Sequence, residues 1–325
     1  MLIAENAAMV LLLALAVDAV LGDPDWLWRR LPHPVVIIGR LISWLDRMLN
    51  RDADPVWKRR AGIATAALLI SLAGSLGYLL HSLFALHPAG MAGEVLVAAI
   101  FLAQLSLYEH VDRVYRAFRY GGLLEARRAV SKIVGRDPNA LDEAGVCRAA
   151  IETMAENFSD GVVAPAFWYL VGGLPGLMIY KAVNTADSMI GYKTPEYREF
   201  GWASARLDDL LNHIPARLSG VFVVIAAALT GGNRRGAWSA MLRDASLHRS
   251  PNAGWPEAAV AGALGIAVAG PRQYLSGPVY DAWMNEGGRV DVRREDIPRA
   301  LKLFIAACSV QAVTVGIAAL AQSAL

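Results

Sequence analysis

Residues 61–93 form a run of 33 positions without a single formal charge, and few folds are open to a chain that contains one. About 20 apolar residues in helical form cross a bilayer, so the run holds one crossing and a turn after it. The Leu-His-Pro-Ala-Gly sequence at 86–90 reads as that turn, which predicts a helical hairpin with arms at 61–86 and 91–108. Residues 303–325 are likewise free of charge and predict another span. Residues 2–21 supply a fourth; they hold Glu5 and Asp18 and lack the basic start of a secretory signal, so they are read as retained.

Composition agrees with a membrane chain. Across 325 residues 55% are hydrophobic and 18% charged, with a mean hydropathy of +0.37. A soluble domain carries about 25% charged residues, and the deficit here lies in long runs. That excludes a disordered chain and argues against a pair of soluble domains. The net charge of +2, from 31 Lys and Arg against 29 Asp and Glu, gives no field for a polyanion, so no nucleic-acid partner is expected. Cys147 and Cys308 show neither metal-type nor disulfide-framework spacing.

Three further apolar stretches are less simple. Residues 161–180 are long enough to span but are interrupted by Pro165, Gly172, Gly173, Pro175 and Gly176. Broken backbone at membrane depth survives only when buried in protein or lining a wet cavity. Residues 218–230 and 258–270 are short and predict re-entrant or tilted pieces. Eight Lys and Arg fall in 22–60, eight in 109–160 and none in 86–90, which puts the long connections in the cytoplasm and the tight turn outside. The polar segments 22–60, 109–160, 184–217, 231–257 and 271–302 share one cytoplasmic face if residues 161–180 return to their starting side. The predicted architecture is a single all-α polytopic membrane domain, a helical bundle with broken or re-entrant segments, in the inner (cytoplasmic) membrane.

Ionisable groups near membrane depth are costly unless paired or functional, so the polar clusters flanking the broken segment stand out. Glu152 and Glu156 lie four apart, with Asp160 continuing the stripe and Asn157 beside it. Like charges at that spacing repel; either Arg148 and Lys132 answer them or a hard cation such as Mg²⁺ does. Lys181, Asn184 and Ser188 share a helical face with Asp187 beside them and Lys193 beyond. Snorkelling explains the lysine alone; the set also offers a cation ligand, a hydroxyl and amide donors to phosphate oxygens. Asp208 and Asn212 share a face, as do Arg206 and Asp209. Those residues make either an internal salt bridge or a Mg²⁺-phosphate site with Arg206 and Arg217 as clamps. The lone His33, after Gly22-Asp23-Pro24, reads as structural. The rigid loop 250–257 offers Asn252 and Glu257 for closure over a substrate.

No phosphate-binding Gly-x-x-x-x-Gly-Lys-Ser/Thr loop, dinucleotide fingerprint, His-Glu-x-x-His or Cys-x-x-Cys occurs. A nucleotide, if used, is therefore held by these clusters.

With those residues assembled, the chain resembles the CobD/CbiB family, the adenosylcobinamide-phosphate synthases of cobalamin biosynthesis, over nearly its whole length. The resemblance rests on Gly22-Asp-Pro with His33-Pro-Val, on Glu-Asn-x-x-Asp-Gly at 156–161 with Pro165, and on Leu-Pro-Gly at 174–176. It continues through YKAVNTADSMIGYK at 180–193, FGWASARLDDLLNHIPAR at 200–217 and SPNAGWPEA at 250–258.

Membership implies ATP-dependent amide formation between the free carboxylate of adenosylcobyric acid and the amine of 1-aminopropan-2-ol or its O-phosphate, with ATP as co-substrate and Mg²⁺. It implies catalytic roles for Glu156, Lys181, Asp187 and Arg206. Metal would be held by Glu156, Asp160, Asp187, Asp208, Asp209 and Asn212, with Glu156 and Asp187 sharing an ion. Substrate would be held by Asn157, Asn184, Ser188, Lys193, Arg217, Asn252 and Glu257. Expected partners are the corrinoid and aminopropanol substrates, the lipid bilayer, and other late cobalamin-assembly enzymes or a second copy of the chain. Two other readings share some of these features. A Mg²⁺-dependent prenyl- or phospho-alcohol transferase needs no ATP, and a corrinoid transporter predicts two related halves, which the sequence does not show.

Overall fold

The computed structural model describes residues 6–51, 54–134, 139, 141–274 and 277–324. Residues 2–5 of the first predicted span, and residues 275, 276 and 325 of later segments, lie outside them. In chain order the helices are α1 (Ala7–Leu21), α2 (Asp25–Trp28), α3 (Pro34–Leu49), α4 (Pro55–Ala85), α5 (Gly90–Ile100), α6 (Gln104–Val130), α7 (Glu143–Phe158), α8 (Ala164–Ile190), α9 (Trp202–Leu211), α10 (His213–Thr230), α11 (Arg234–Asp244), α12 (Gly254–Leu264) and α13 (Asp296–Ser323). A five-residue π-turn, Ser159–Val163, joins α7 to α8, and strands β1 (Val268–Tyr274) and β2 (Gly277–Met284) precede α13. Five helical stretches are long and apolar enough to cross a membrane. The protein is an all-α polytopic membrane protein. Helices satisfy their backbone polar groups internally, as hydrocarbon requires.

The residues fall into two compact units, where the sequence reading has one domain. The first comprises 1–103, 164–212 and 315–325, the second 104–163 and 213–314. In the first, α4 starts six residues before the predicted arm, because Asp54 Oδ1 accepts from the N–H groups of Val56 and Trp57 at 2.8 and 3.0 Å and Pro55 sits at the first position. An uncharged run marks the apolar part of a helix; it does not mark where helical hydrogen bonding begins. The segment 22–60, read as a polar connection, holds α2, α3 and the first turn of α4. His33 is structural, as expected: its Nδ1 accepts from Val35 N–H and opens α3, while Nε2 lies 3.2 Å from Asp23 Oδ1. The helix α1 has 15 residues, about 22 Å at 1.5 Å per residue, short for a crossing. The predicted arm 91–108 is divided, since α5 ends at Ile100 and buried Phe101 and Leu102 precede α6.

Residues 161–180 fold back, as their Pro and Gly content suggests. Gly173 has φ 60° and ψ −151°, a conformation open essentially to glycine alone. A Cβ on Gly176 would lie 2.4 Å from the Trp168 carbonyl oxygen, eight residues back, where a straight helix leaves about 12 Å. Trp168 Nε1 donates to Leu211 O and Tyr180 OH donates to Asn212 Oδ1, both at 3.0 Å. Positions twelve residues apart thus reach neighbouring residues. The second arm runs on through Asn184 to Ile190, so this stretch belongs to α8 and not to a separate polar connection. Leu11, Leu15, Val95, Tyr169, Leu177 and Val315 contribute to one core of this unit, and Ile42, Leu45, Leu69, Ile190 and Phe200 to another.

In the second unit, Ile151, Phe158, Val223, Val260, Ile297 and Phe304 share a core, with the Phe158 and Phe304 rings edge-on at 5.7 Å. Residues 218–230, read as a short piece, are the end of the 18-residue α10, which starts at His213 and is long enough to cross. Residues 109–160 and 231–257, read as polar connections, contain most of α6, all of α7 and all of α11. The apolar piece 258–270 stops being helical at Leu264, where Gly265 turns left-handed. Within 271–302 the chain makes an antiparallel hairpin with Val268 opposite Met284. Asp296 then opens α13 seven residues before the predicted span. Its carboxylate accepts from Arg289 Nη2, Arg299 Nη1 and the Arg293 N–H.

Replacing Gly173 by Ala forces a Cβ into a glycine-only conformation and is expected to cost about 1–3 kcal/mol. A lower thermal or SDS-unfolding midpoint of the purified protein checks it. A wild-type midpoint would show that the return of α8 does not depend on that residue.

Candidate functional site

The returning arm of α8 carries Lys181, Asn184, Asp187 and Ser188, and α9 carries Arg206, Asp208 and Asp209. Their meeting point is the Asp208 carboxylate. Oδ1 accepts from Asn184 Nδ2 at 3.1 Å and Oδ2 from Asn212 Nδ2 at 3.0 Å. Tyr180 fixes the far side of the Asn212 amide, and Asp208, Asn212 and Tyr180 are all buried. Burial pushes the Asp208 carboxyl above its ordinary range; the two amides and the Lys181 charge pull it partly back, and Asp209 adds to the rise. The Asp209 carboxyl is also raised by burial, against Arg206 and Lys193. Arg206 Nη1 stands 3.4 Å from Asp209 Oδ2, so the internal salt bridge weighed from the sequence is present.

Hydroxyls on this arm donate backwards, Thr185 Oγ1 to Lys181 O at 2.6 Å and Ser188 Oγ to Asn184 O at 2.9 Å. Their lone pairs stay available to a donor. Asp187 lies over the end of the helix. A Cβ on Gly191 would come within 1.9 Å of its Oδ1, so the place of this carboxylate depends on residue 191 having no side chain. Lys193 is exposed just beyond.

The remaining residues singled out from the sequence belong to the second unit. Glu156 and Asn157 are exposed on α7, where Asn157 Nδ2 donates to Thr153 O at 3.0 Å, and Asp160 is half-buried in the π-turn. Glu152 departs from the expected cation-facing stripe: it is buried and its Oε1 accepts from the Ala269 N–H at 2.7 Å. That bond holds a hairpin residue whose φ is 62°. Arg148 reaches Val290 O at 2.6 Å and stacks near Trp283. The Arg217 guanidinium sits 4.4 Å over the Trp255 ring and donates to His213 O. Asn252 and Glu257 are buried, with Glu257 Oε2 3.7 Å from His248 Nε2. Ser250 Oγ accepts from the N–H groups of Asn252 and Ala253 and so helps open α12.

Among the described residues no three His, Cys, Asp or Glu side chains gather as a cation cage. Two polar groups escaped the sequence reading. Tyr180 locks Asn212, which a buried tyrosine beside a lysine does not announce. Glu94, buried in α5, accepts from Tyr169 OH at 2.8 Å and has His81 Nδ1 3.3 Å from both oxygens. Its signal was legible, since Glu94 is the charge that ends the 33-residue run.

A family model described as CobD/Cbib protein matches residues 11–304. The chain belongs to the CobD/CbiB family. It is 53% identical over 313 residues to the cobalamin biosynthesis protein CobD of Sinorhizobium sp, covering 95% of this chain and 97% of that one. The protein of the same name from Rhizobium meliloti is 53% identical over 320 residues, covering 96% and 97%. That of Rhodobacter capsulatus is 45% identical over 318 residues, covering 97% and 98%. No solved structure matches. In this CobD/CbiB chain the matched stretch includes every element that builds the Asp208 cluster.

Two outcomes follow from the cluster. Folding holds the Asp208 carboxyl above its unfolded range, so its ionised form costs the fold stability at neutral pH, and that cost falls away as the pH drops through the folded value. Asp208→Asn, with one flanking amide turned, should therefore match or exceed wild type in thermal midpoint at neutral pH and lose that advantage in acid. A variant less stable than wild type at neutral pH would show that the hydrogen bonds outweigh the buried charge. Gly191→Ala should displace Asp187 and lower turnover about tenfold or more, a loss of at least ~1.4 kcal/mol. A kinetic assay at equal protein stability checks it.

Proposed function

We propose that this CobD/CbiB protein acts in cobalamin biosynthesis as an ATP-dependent ligase, joining the free carboxylate of adenosylcobyric acid to the amine of 1-aminopropan-2-ol or its O-phosphate. Family membership supports the pathway. The observation that carries the chemistry is the anchoring of Asp208 between Asn184 and Asn212, beside Lys181 and Asp187 on a doubled-back helix.

A carboxylate is a poor acyl donor. In this reading a corrinoid carboxylate oxygen attacks the γ-phosphorus of ATP, the bond to ADP breaks and an acyl phosphate forms. The amine nitrogen then attacks the acyl carbon, phosphate leaves with the C–O electron pair, and the ammonium proton passes to a carboxylate. Amide, ADP, phosphate and a proton result. Lys181 and Arg206 stabilise phosphoryl charge. Mg²⁺ enters as part of the nucleotide substrate; such an ion keeps waters and needs only one or two protein carboxylates, which the half-buried Asp187 and Asp209 supply. Both Asp208 oxygens already take amide protons, so its part is to aim Asn184 and Asn212. Glu156, Asn157, Asp160, Arg217, Asn252 and Glu257 take no step in this reading. The cluster is assigned to the cytoplasmic side of the inner membrane, where ATP is found and where Lys and Arg collect in the connections.

Purified protein incubated with adenosylcobyric acid, each amine separately and Mg²⁺ should yield a corrinoid of amide mass only when ATP is added. Product without ATP would favour a transferase. Corrinoid uptake by proteoliposomes without covalent change would favour a transporter. Asp187→Asn should abolish turnover in a folded protein. Lys181→Met should raise the KM for ATP about tenfold or more, as loss of a charge-assisted contact does, with a smaller effect on the amine. A Lys181→Arg variant as active as wild type would assign Lys181 to the membrane interface alone.

A further inference from the structure

The helix α3 has two apolar faces and only one is covered by protein. Ile38, Ile42 and Leu45 pack in the cores of the first unit. On the other side Val36, Arg40, Trp44 and Met48 recur at every fourth position, with Ile37 alongside, and all five are exposed; Trp44 retains 49% of its surface. The preceding α2 adds Trp26, 66% exposed, and Leu31 follows it, with Arg29 and Arg30 between them. Sixteen residues span about 24 Å, short of the roughly 30 Å hydrocarbon core. A guanidinium in mid-stripe and the Asp46-Arg47 pair further oppose a crossing.

We infer that the outer face of α3, with the end of α2, is an interfacial anchor seated at the headgroup level of an anionic leaflet, where Arg40 and Arg47 meet lipid phosphate. Apolar side chains alternating with arginine and tryptophan are what that boundary takes up, the ring at the glycerol level and the cation among the phosphates. Arg40 and Arg47 have no ion-pair partner among the described residues, so their charges are left for an anion from outside. A second copy of the chain is the poorer occupant, because a twofold contact centred on this stripe sets Arg40 against Arg40. The inference is independent of the reaction proposed above.

The test uses the full-length protein in nanodiscs of phosphatidylcholine, with or without about one third phosphatidylglycerol. Cys308 is replaced by Ala and single cysteines at Ile37 and Met48 carry bimane; Cys147 is buried in the core. Quenching by lipid bearing a nitroxide near the headgroup should exceed quenching by a water-soluble nitroxide severalfold. Each basic residue near an anionic surface contributes about fivefold in affinity, so Arg40→Gln with Arg47→Gln should weaken phosphatidylglycerol retention about 25-fold, read by mass spectrometry of the delipidated protein. Quenching from water alone would overturn the anchor. So would cross-linking of position 48 to a second copy without lipid quenching, or equal retention of both lipids by wild type. The quenching experiment retains both arginines, so it stands if the double variant does not fold.

Discussion

A backbone conformation that only glycine adopts, at residue 173, turns α8 back on itself, and the polar cluster depends on that reversal. Without it, Trp168 and Tyr180 would stand about 18 Å apart along one axis, and they would not both reach residues 211 and 212. With it, a helix apolar enough for a membrane ends in Asn184, Asp187 and Ser188 against α9. The reversal leaves no backbone group stranded in an apolar surrounding, because each arm is helical up to the bend.

The cluster then sets an electrostatic cost against a geometric gain. Burial disfavours the charged form of Asp208, while Asn184 and Asn212 each return a hydrogen bond. An aspartate in that position fixes the rotation of two amides, one of which is held again by Tyr180. Groups so held meet a substrate without reorganising, which favours transition-state stabilisation over stability of the empty fold. Lys181 and Arg206 bring opposite charge to the same region.

The sequence made the body of α4 and of α13 legible, because absence of charge over more than twenty residues has one common physical cause. Helix ends were not, since capping by Asp54 and the hydrogen bonds to Asp296 draw charged residues into the first turns. The amphipathic α3 hid inside a segment whose arginines suggested solvent. The β-hairpin was missed because Val268–Met284 lies between apolar helices without a clear turn signal. Within the cluster the Asp208–Asn212 contact could be read from the four-residue spacing, whereas Asn184–Asp208 joins positions 24 apart and needed the fold. Glu152 and Glu156 looked alike at their spacing, yet the first serves a backbone N–H and the second is exposed.

Glu94 has a consequence for how the first unit meets bilayers of different thickness. Its carboxylate ties α5 to α4 through His81 and to α8 through Tyr169. A hydrophobic helix normally adapts to a thicker or thinner membrane by sliding against its neighbours or by tilting. Here sliding α5 along its axis by even one turn would strip a buried carboxylate of its donors, so the three helices must tilt together. The α4–α5 hairpin accordingly carries its own depth setting, fixed by one ionisable side chain rather than by the length of its apolar surface.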